Sequence, residues 1–179
     1  GGVANPSEDG VLRFISCSNF HPVKRIDLLF ESVINAAKKR PEQAIEWTHF
    51  GGAEDIRQQY TQRVANEFPA NAKASFPGYQ SQHELIQTYL SKPVDIFLNV
   101  SSTEGTSVAM MEAVSCGIPV LATAVGGNVE VVREKNGLLL SATPTPDEIA
   151  DALLNVCDHR EAWLKKRQGS RAVWQERYN

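Results

Sequence analysis

An α/β fold on a doubly wound, parallel sheet of about six strands is what this sequence predicts, and three observations carry the prediction. Short β-prone apolar runs alternate with stretches at helical period along almost the whole chain, which calls for parallel strands joined by crossover helices. Two of those runs, Val94 to Val100 (VDIFLNV) and Ile118 to Thr123 (IPVLAT), are apolar nearly throughout, as strands covered on both faces are. Glycine and polar clusters follow the strands, at the carboxyl ends where ligands bind in such folds.

The elements follow in order. Gly1-Gly2 reads as an appended pair, and Asn5 to Gly10, polar and turn-rich, as a linker or frayed start, so that residues 1–10 precede the domain proper. Val11 to Ser16 gives the first strand and Ser18 to Lys24 a loop. Ile26, Leu29, Phe30, Val33, Ile34 and Ala37 recur at the spacing of one helix face, and that helix ends before Pro41. Ile45 to Phe50 is the second strand, closed by Gly51-Gly52, and Ile56, Tyr60, Val64 and Phe68 mark the inner stripe of the next helix. Lys73 to Phe76 is a short third strand with Pro77-Gly78 as its turn. Ser81 and Glu84 form a capping box for a helix carrying Leu85, Ile86, Tyr89 and Leu90. After the fourth strand, Val94 to Val100, come a buried helix over Val108 to Val114 and the fifth strand, Ile118 to Thr123. Gly126-Gly127 opens a short helix through Val132, and Gly137 to Leu140 is the sixth strand. Thr145-Pro146-Asp147-Glu148 has the cap, proline and acid of a helix start. Residues 11–160 thus form one domain, and residues 161–179 a charged helical tail whose Trp174 and Tyr178 are apolar enough to pack on something.

Composition narrows the function. With 42% hydrophobic and 22% charged residues, the 179-residue chain can bury a proper core. A net charge of −3 argues against a nucleic-acid partner or a polybasic membrane surface. Cys17, Cys116 and Cys157 are widely spaced, without a C-x-x-C pair or a histidine at ligand spacing, which reads as reduced, cytoplasmic and metal-free. The four histidines are scattered and read as surface or core residues. A nicotinamide dehydrogenase would need G-x-G-x-x-G after a strand, and a P-loop enzyme G-x-x-x-x-G-K-[ST]; the sequence contains neither.

The chemistry concentrates between Ser101 and Ala113. Glu112 stands among Met110, Met111, Ala113 and Val114, where a carboxylate is costly to bury unless it meets a partner. Glu104 precedes Gly105 on the loop into the same helix, where Thr106 and Ser107 can cap. The first-turn amides there form a ready anion site. Were both acids helical they would lie about 12 Å apart along the axis, beyond the roughly 5 to 9.5 Å of a glycoside-hydrolase pair. Two separate contacts along an extended ligand fit better, with Glu112 accepting from the two hydroxyls of a ribose and phosphates on the helix N-terminus.

Glu104 and Glu112 with seven residues between them, followed by Gly117, Ile118-Pro119-Val120, Ala122-Thr123 and Gly126-Gly127, resemble the E-x7-E region of the family 4 retaining glycosyltransferases. The resemblance runs from about Val11 to Cys157. It implies the C-terminal, donor-binding, Rossmann-like half of a GT-B fold, a metal-independent transferase without cofactor, and a nucleotide-diphosphate sugar as substrate. By that resemblance Glu104 is catalytic and faces the sugar, and Glu112 holds the ribose. Lys24 and the Gly105, Thr106, Ser107 and Val108 backbone hold the diphosphate. Gly51 lies near the nucleotide, and Tyr79 and Gln80 stand in the loop that holds the base. Ser18 occupies the place of a second family cation, an arginine, so that either Arg25 substitutes or the charge comes from elsewhere. The implied partners are the nucleotide sugar and an N-terminal acceptor domain of the same full-length protein. The chain is therefore expected to be a half-enzyme of polysaccharide or glycoconjugate biosynthesis, and peripheral membrane association of the full-length enzyme is left open. A sugar-nucleotide epimerase half and a non-catalytic nucleotide-sugar binding domain are the alternatives.

Overall fold

In a computed structural model, which describes residues 2–178, six strands form a single parallel sheet. They are Leu12–Cys17 (β1), Ile45–Phe50 (β2), Ala72–Gly78 (β3), Ile96–Asn99 (β4), Val120–Thr123 (β5) and Gly137–Leu140 (β6). Their order across the sheet is β3-β2-β1-β4-β5-β6, so strands are added to one side of β1 up to β3 and to its other side from β4 onward. At such a switch point the loops after neighbouring strands diverge and leave a crevice at the carboxyl ends.

Helices Ile26–Lys39 (α1), Glu54–Glu67 (α2) and Pro146–Asp158 (α6) cover one face. Leu12, Phe14, Ile45 and Trp47 of the sheet pack there with Leu29, Phe30 and Leu153. Gln82–Ser91 (α3), Val108–Ser115 (α4) and Arg160–Arg177 (α7) belong to the other core, where Ile15, Phe97 and Val120 meet Tyr89, Met110, Val114 and Val173. A one-turn helix, Asn128–Val131 (α5), links β5 to β6. Alternation along β1 explains the division, since Leu12 and Phe14 point to one face and Ile15 to the other. The capping boxes expected at Ser81 and Thr145 are both formed.

Three boundaries differ from the sequence reading. Pro77-Gly78 is not the turn after β3 but its end: β3 is an edge strand, and the register slips between its pairing with Thr48 and with Phe50, a bulge that accommodates proline. The expected linker is a docked strap. Ala4 and Ser7 are buried; the Ala4 N–H donates to the Cys116 carbonyl, Val94 N–H to Asn5, and Ser7 N–H to the Asp95 carboxylate. The helical tail begins at Arg160 and packs against α4, α6 and β6, and its cations donate to backbone carbonyls. Arg171 donates to Ser115, and Arg167, itself buried, donates to Val94 at 2.8 Å and to Ala4 at 2.6 Å. Trp174 and Tyr178 are half-buried against the α3–α4 core. Gly1 of the opening pair and Asn179 of the tail lie outside the described residues.

Arg167 therefore joins strap, sheet and tail, and burial holds its pKa down at about 10. Arg167→Ala leaves those buried carbonyls without donors and should cost on the order of 3 kcal/mol. A urea titration measures it; a loss below about 1 kcal/mol, typical of an ordinary neutral hydrogen bond, would show that the carbonyls find other partners.

Candidate functional site

The expected site residues come from four loops, at the carboxyl ends of β1, β2, β3 and β4, and from the start of α4. The loop after β1 ends in a short 3-10 turn, Pro22–Lys24, and Lys24 reaches across to the loop after β4. Its Nζ lies 3.1 Å from both carboxylate oxygens of Glu104. Asn99, the last residue of β4, donates its Nδ2 to Glu104 Oε2 at 3.1 Å, while its Oδ1 accepts from the Ser101 N–H. The Glu104 side chain is only 10% exposed. Burial pushes its pKa up, but hydrogen bonds from Asn99 and Ser101 and the bond and charge of Lys24 outweigh that, leaving it below the ordinary glutamate value.

The backbone carrying Glu104 is equally constrained. The Ser102 N–H donates to the Val23 carbonyl at 2.8 Å, and the Gly127 N–H to the Glu104 carbonyl at 3.1 Å. Gly126 and Gly127 lie so close to the 104–105 backbone that a Cβ on either would overlap a carbonyl oxygen, Glu104's or Gly105's. These two glycines thus serve the Glu104 loop directly. Thr123 Oγ1 donates to the Ser101 carbonyl at 2.7 Å, and Asn128 donates to the Thr123 carbonyl at 3.0 Å.

Arg25 does not face the same opening. Its Nε donates to the Val100 carbonyl at 2.6 Å and its Nη2 to those of Ser101 and Ala142 at 2.8 and 3.0 Å. Arg25 also has a left-handed backbone, φ 51°, a conformation unfavourable to a bulky side chain. Those three bonds hold it there. Its guanidinium is a clamp between loops, and Ser18 Oγ is likewise turned onto its own loop, donating to the Asn19 carbonyl.

Glu112 lies on α4, one turn in from the helix start. Ser107 caps that start by accepting from the Met110 N–H at 3.2 Å. The Val108 and Ala109 amides precede the first intrahelical donor, Met111, so the helix itself offers them no acceptor. Glu112 is 7% exposed, and burial alone raises its pKa. Its carboxylate borders a cleft of about 350 Å³ with Cys17, Gly51, Tyr79, Gln80 and Val108. Tyr79 and Val108 stand open to solvent at 83% and 63%. Gly51 has φ 102°, and a Cβ there would strike the Ser18 carbonyl, so glycine is required where the β1 and β2 loops meet. Gln80 accepts from Thr88 Oγ1 at 3.1 Å.

The structure thus brings Gly51, Tyr79, Gln80, Val108 and Glu112 to one cleft and pairs Lys24 with Glu104 beside it; Gly105 and Thr106 are exposed on the joining loop and Ser107 caps α4. Asn99 and Asn128 escaped the sequence reading. The first had a signal, a lone amide closing the apolar run VDIFLNV. Cys17 also lines the cleft; burial first and Glu112 second push its thiol up to about 11. Among the described residues there is no group of three or more His, Cys, Asp or Glu placed to hold a metal ion.

With this geometry in hand, comparison with known proteins is decisive at the level of family. The profile of the glycosyl transferases group 1 matches residues 12–159, most of the chain. The chain belongs to the group 1 glycosyltransferases. Sucrose-phosphate synthase 4 of Arabidopsis thaliana is 26% identical over 108 residues, which are 59% of this chain and 10% of that protein. The chain spans about a tenth of the length of the curated relatives it matches. In fold, it resembles the C-terminal domain of the group 1 glycosyl transferase LpcC from Francisella tularensis, at TM-score 0.73 and 21% identity, covering 99% of this chain and 96% of that one. It also resembles Anabaena HepE in a crystal structure with UDP-glucose, at TM-score 0.74 and 20% identity, over 94% of this chain and 45% of that one. The GT-B-type, doubly wound sheet expected from the sequence is present.

A buried network supports the β1 loop from behind. Trp47 Nε1 donates to Ser16 Oγ at 2.8 Å, Ser16 Oγ donates to His49 Nδ1 at 2.7 Å, and His49 Nε2–H donates to the Ser18 carbonyl at 3.0 Å. The imidazole is neutral, its pKa lowered by burial from 6.5 to about 4. The unfolded chain therefore takes up this proton first, and stability falls as pH drops from about 6.5 to about 4. The expected loss is on the order of 3 kcal/mol. Urea midpoints at pH 7 and pH 4 for wild type and His49→Gln give the test; an equal pH-dependence in both would remove His49 from the account.

Proposed function

We propose that this domain binds a nucleotide-diphosphate sugar and presents it for metal-independent, retaining transfer to an acceptor held by a second domain. The observation that carries the reading is the cleft itself. Glu112, a buried carboxylate whose burial no bond offsets, faces it below the open N-terminus of α4, and Lys24 stands on the neighbouring loop.

Each part has a physical role. Glu112 accepts from the ribose hydroxyls, which supply the hydrogen bonds a buried carboxylate needs. The Gly105 to Val108 backbone and Lys24 receive the diphosphate, since helix N-termini and ammonium groups both favour anions. Tyr79 offers an aromatic face to the base, with Gly51 and Gln80 bordering the same space. As the glycosidic bond breaks, negative charge grows on the leaving diphosphate, and these preorganised donors stabilise it without a divalent ion. Glu104 faces the sugar. With Arg25 bound to carbonyls, the diphosphate clamp rests on Lys24 and amides.

The likeness to a C-terminal domain over nearly its full length, and to a protein crystallised with UDP-glucose, supports a donor-binding role. The exposure of Tyr79 and Val108 at the cleft fits a site that a second domain closes. One observation favours a binding-only domain: neither Ser18 nor Arg25 supplies a second cation.

Calorimetric titration with UDP, GDP and ADP is the test. At least one should bind, and Glu112→Gln should weaken it by on the order of 1 to 3 kcal/mol, the worth of a charged hydrogen bond, without loss of the fold. Unchanged affinity would remove Glu112 from the site. The domain by itself should bind nucleotide and transfer no sugar in an assay with mixed donors and acceptors. Turnover at ordinary enzyme rates would contradict the need for a second domain.

A further inference from the structure

We infer that Glu104 competes with the diphosphate for Lys24, and that this competition makes the site favour a nucleotide sugar over the bare nucleoside diphosphate. The inference rests on the nucleotide-binding reading above and concerns the regulation of that same site.

The geometry is the starting point. Lys24 Nζ is shared evenly between the two oxygens of Glu104, 3.1 Å from each, and the pair is largely out of water, with side-chain exposures of 22% and 10%. Glu104 is not free to swing aside. Asn99 fixes the carboxylate, the Gly127 N–H holds the Glu104 carbonyl, and Ser102 ties the Glu104 loop to Val23, the residue before Lys24. A diphosphate brought to Lys24 therefore comes up against an anion that stays in place. Repulsion between two anions on one cation is strong in so shielded a setting.

The sugar changes this balance. Its hydroxyl groups donate to the carboxylate, replacing the hydrogen bonds Glu104 loses as Lys24 turns to the phosphates, and so keep a buried acceptor satisfied. A nucleoside diphosphate has no such donors at that end. Glu104 therefore penalises the leaving product more than the donor, and the penalty appears once the sugar has gone. Glu104 would thereby help to eject the diphosphate after transfer, in addition to any contact it makes with the sugar.

The experiment is calorimetry on wild type and Glu104→Gln with UDP, GDP, ADP and their glucose conjugates. The glutamine variant keeps a side-chain amide near Asn99 but removes the charge, so the affinity for the bound nucleoside diphosphate should rise roughly tenfold. The glucose conjugate should gain less, and the preference for conjugate over diphosphate should shrink by the same margin. Glu104→Asp, which keeps the charge but withdraws it from Lys24, should fall between and carries the test if the glutamine variant melts early. Diphosphate affinity unchanged or weakened in a folded variant overturns the competition while leaving the nucleotide site intact. Failure of all six ligands to bind wild type defeats both readings.

Discussion

The ion pair between Lys24 and Glu104 is the contact on which the upper face of this domain depends. It joins the loop after β1 to the loop after β4 across the switch point of the strand order. Around it the structure adds bonds of the same kind: Asn99 to Glu104, Ser102 to Val23, Arg25 to the carbonyls of Val100 and Ser101. Removal of the pair from water is costly, and the cost is offset because Lys24 meets both oxygens of Glu104 and Glu104 also accepts from Asn99.

The two acids of the motif are kept in opposite electrostatic conditions. Glu104 is surrounded by donors and its pKa is drawn down, whereas Glu112 is buried without compensation and its pKa is raised. Different settings for two carboxylates are a common way to assign them different tasks. Here the first setting suits a residue that must stay ionised beside a cation, and the second a residue that gains its hydrogen bonds from a ligand. The helix that separates them provides a third element, its N-terminal amides, at a position between the two.

Much of this was legible in the sequence, for reasons that are local. The apolar runs made the strands visible, since a parallel sheet buries both faces. Glu112 stood out because a charged residue in an apolar helix breaks the pattern, and Ser81 and Thr145 marked helix starts because capping is a contact between near neighbours. What remained hidden was long-range. Nothing in the polar string Asn5 to Gly10 says that Ala4 and Ser7 are buried by Cys116, Asp95 and the distant Arg167. Arg25 beside Lys24 looked like a second cation, and only the fold shows its guanidinium closed on three carbonyls. Gly126 and Gly127 were visible as glycines, but their closeness to the Glu104 and Gly105 carbonyls depends on how β5 lies beside β4. Pro77 looked like a turn because its tolerance at a bulged edge depends on which strand ends up outermost.

The central claim is that one ligand spans from the cleft at Glu112 and Tyr79, past the start of α4, to the Lys24–Glu104 pair. A crystal structure of the domain soaked with a UDP-, GDP- or ADP-linked sugar tests this most directly. The ribose hydroxyls should lie on Glu112, the phosphates against the Gly105 to Val108 backbone and Lys24, and the sugar beside Glu104. A nucleotide bound elsewhere, or bound with its phosphates away from the start of α4, would contradict it.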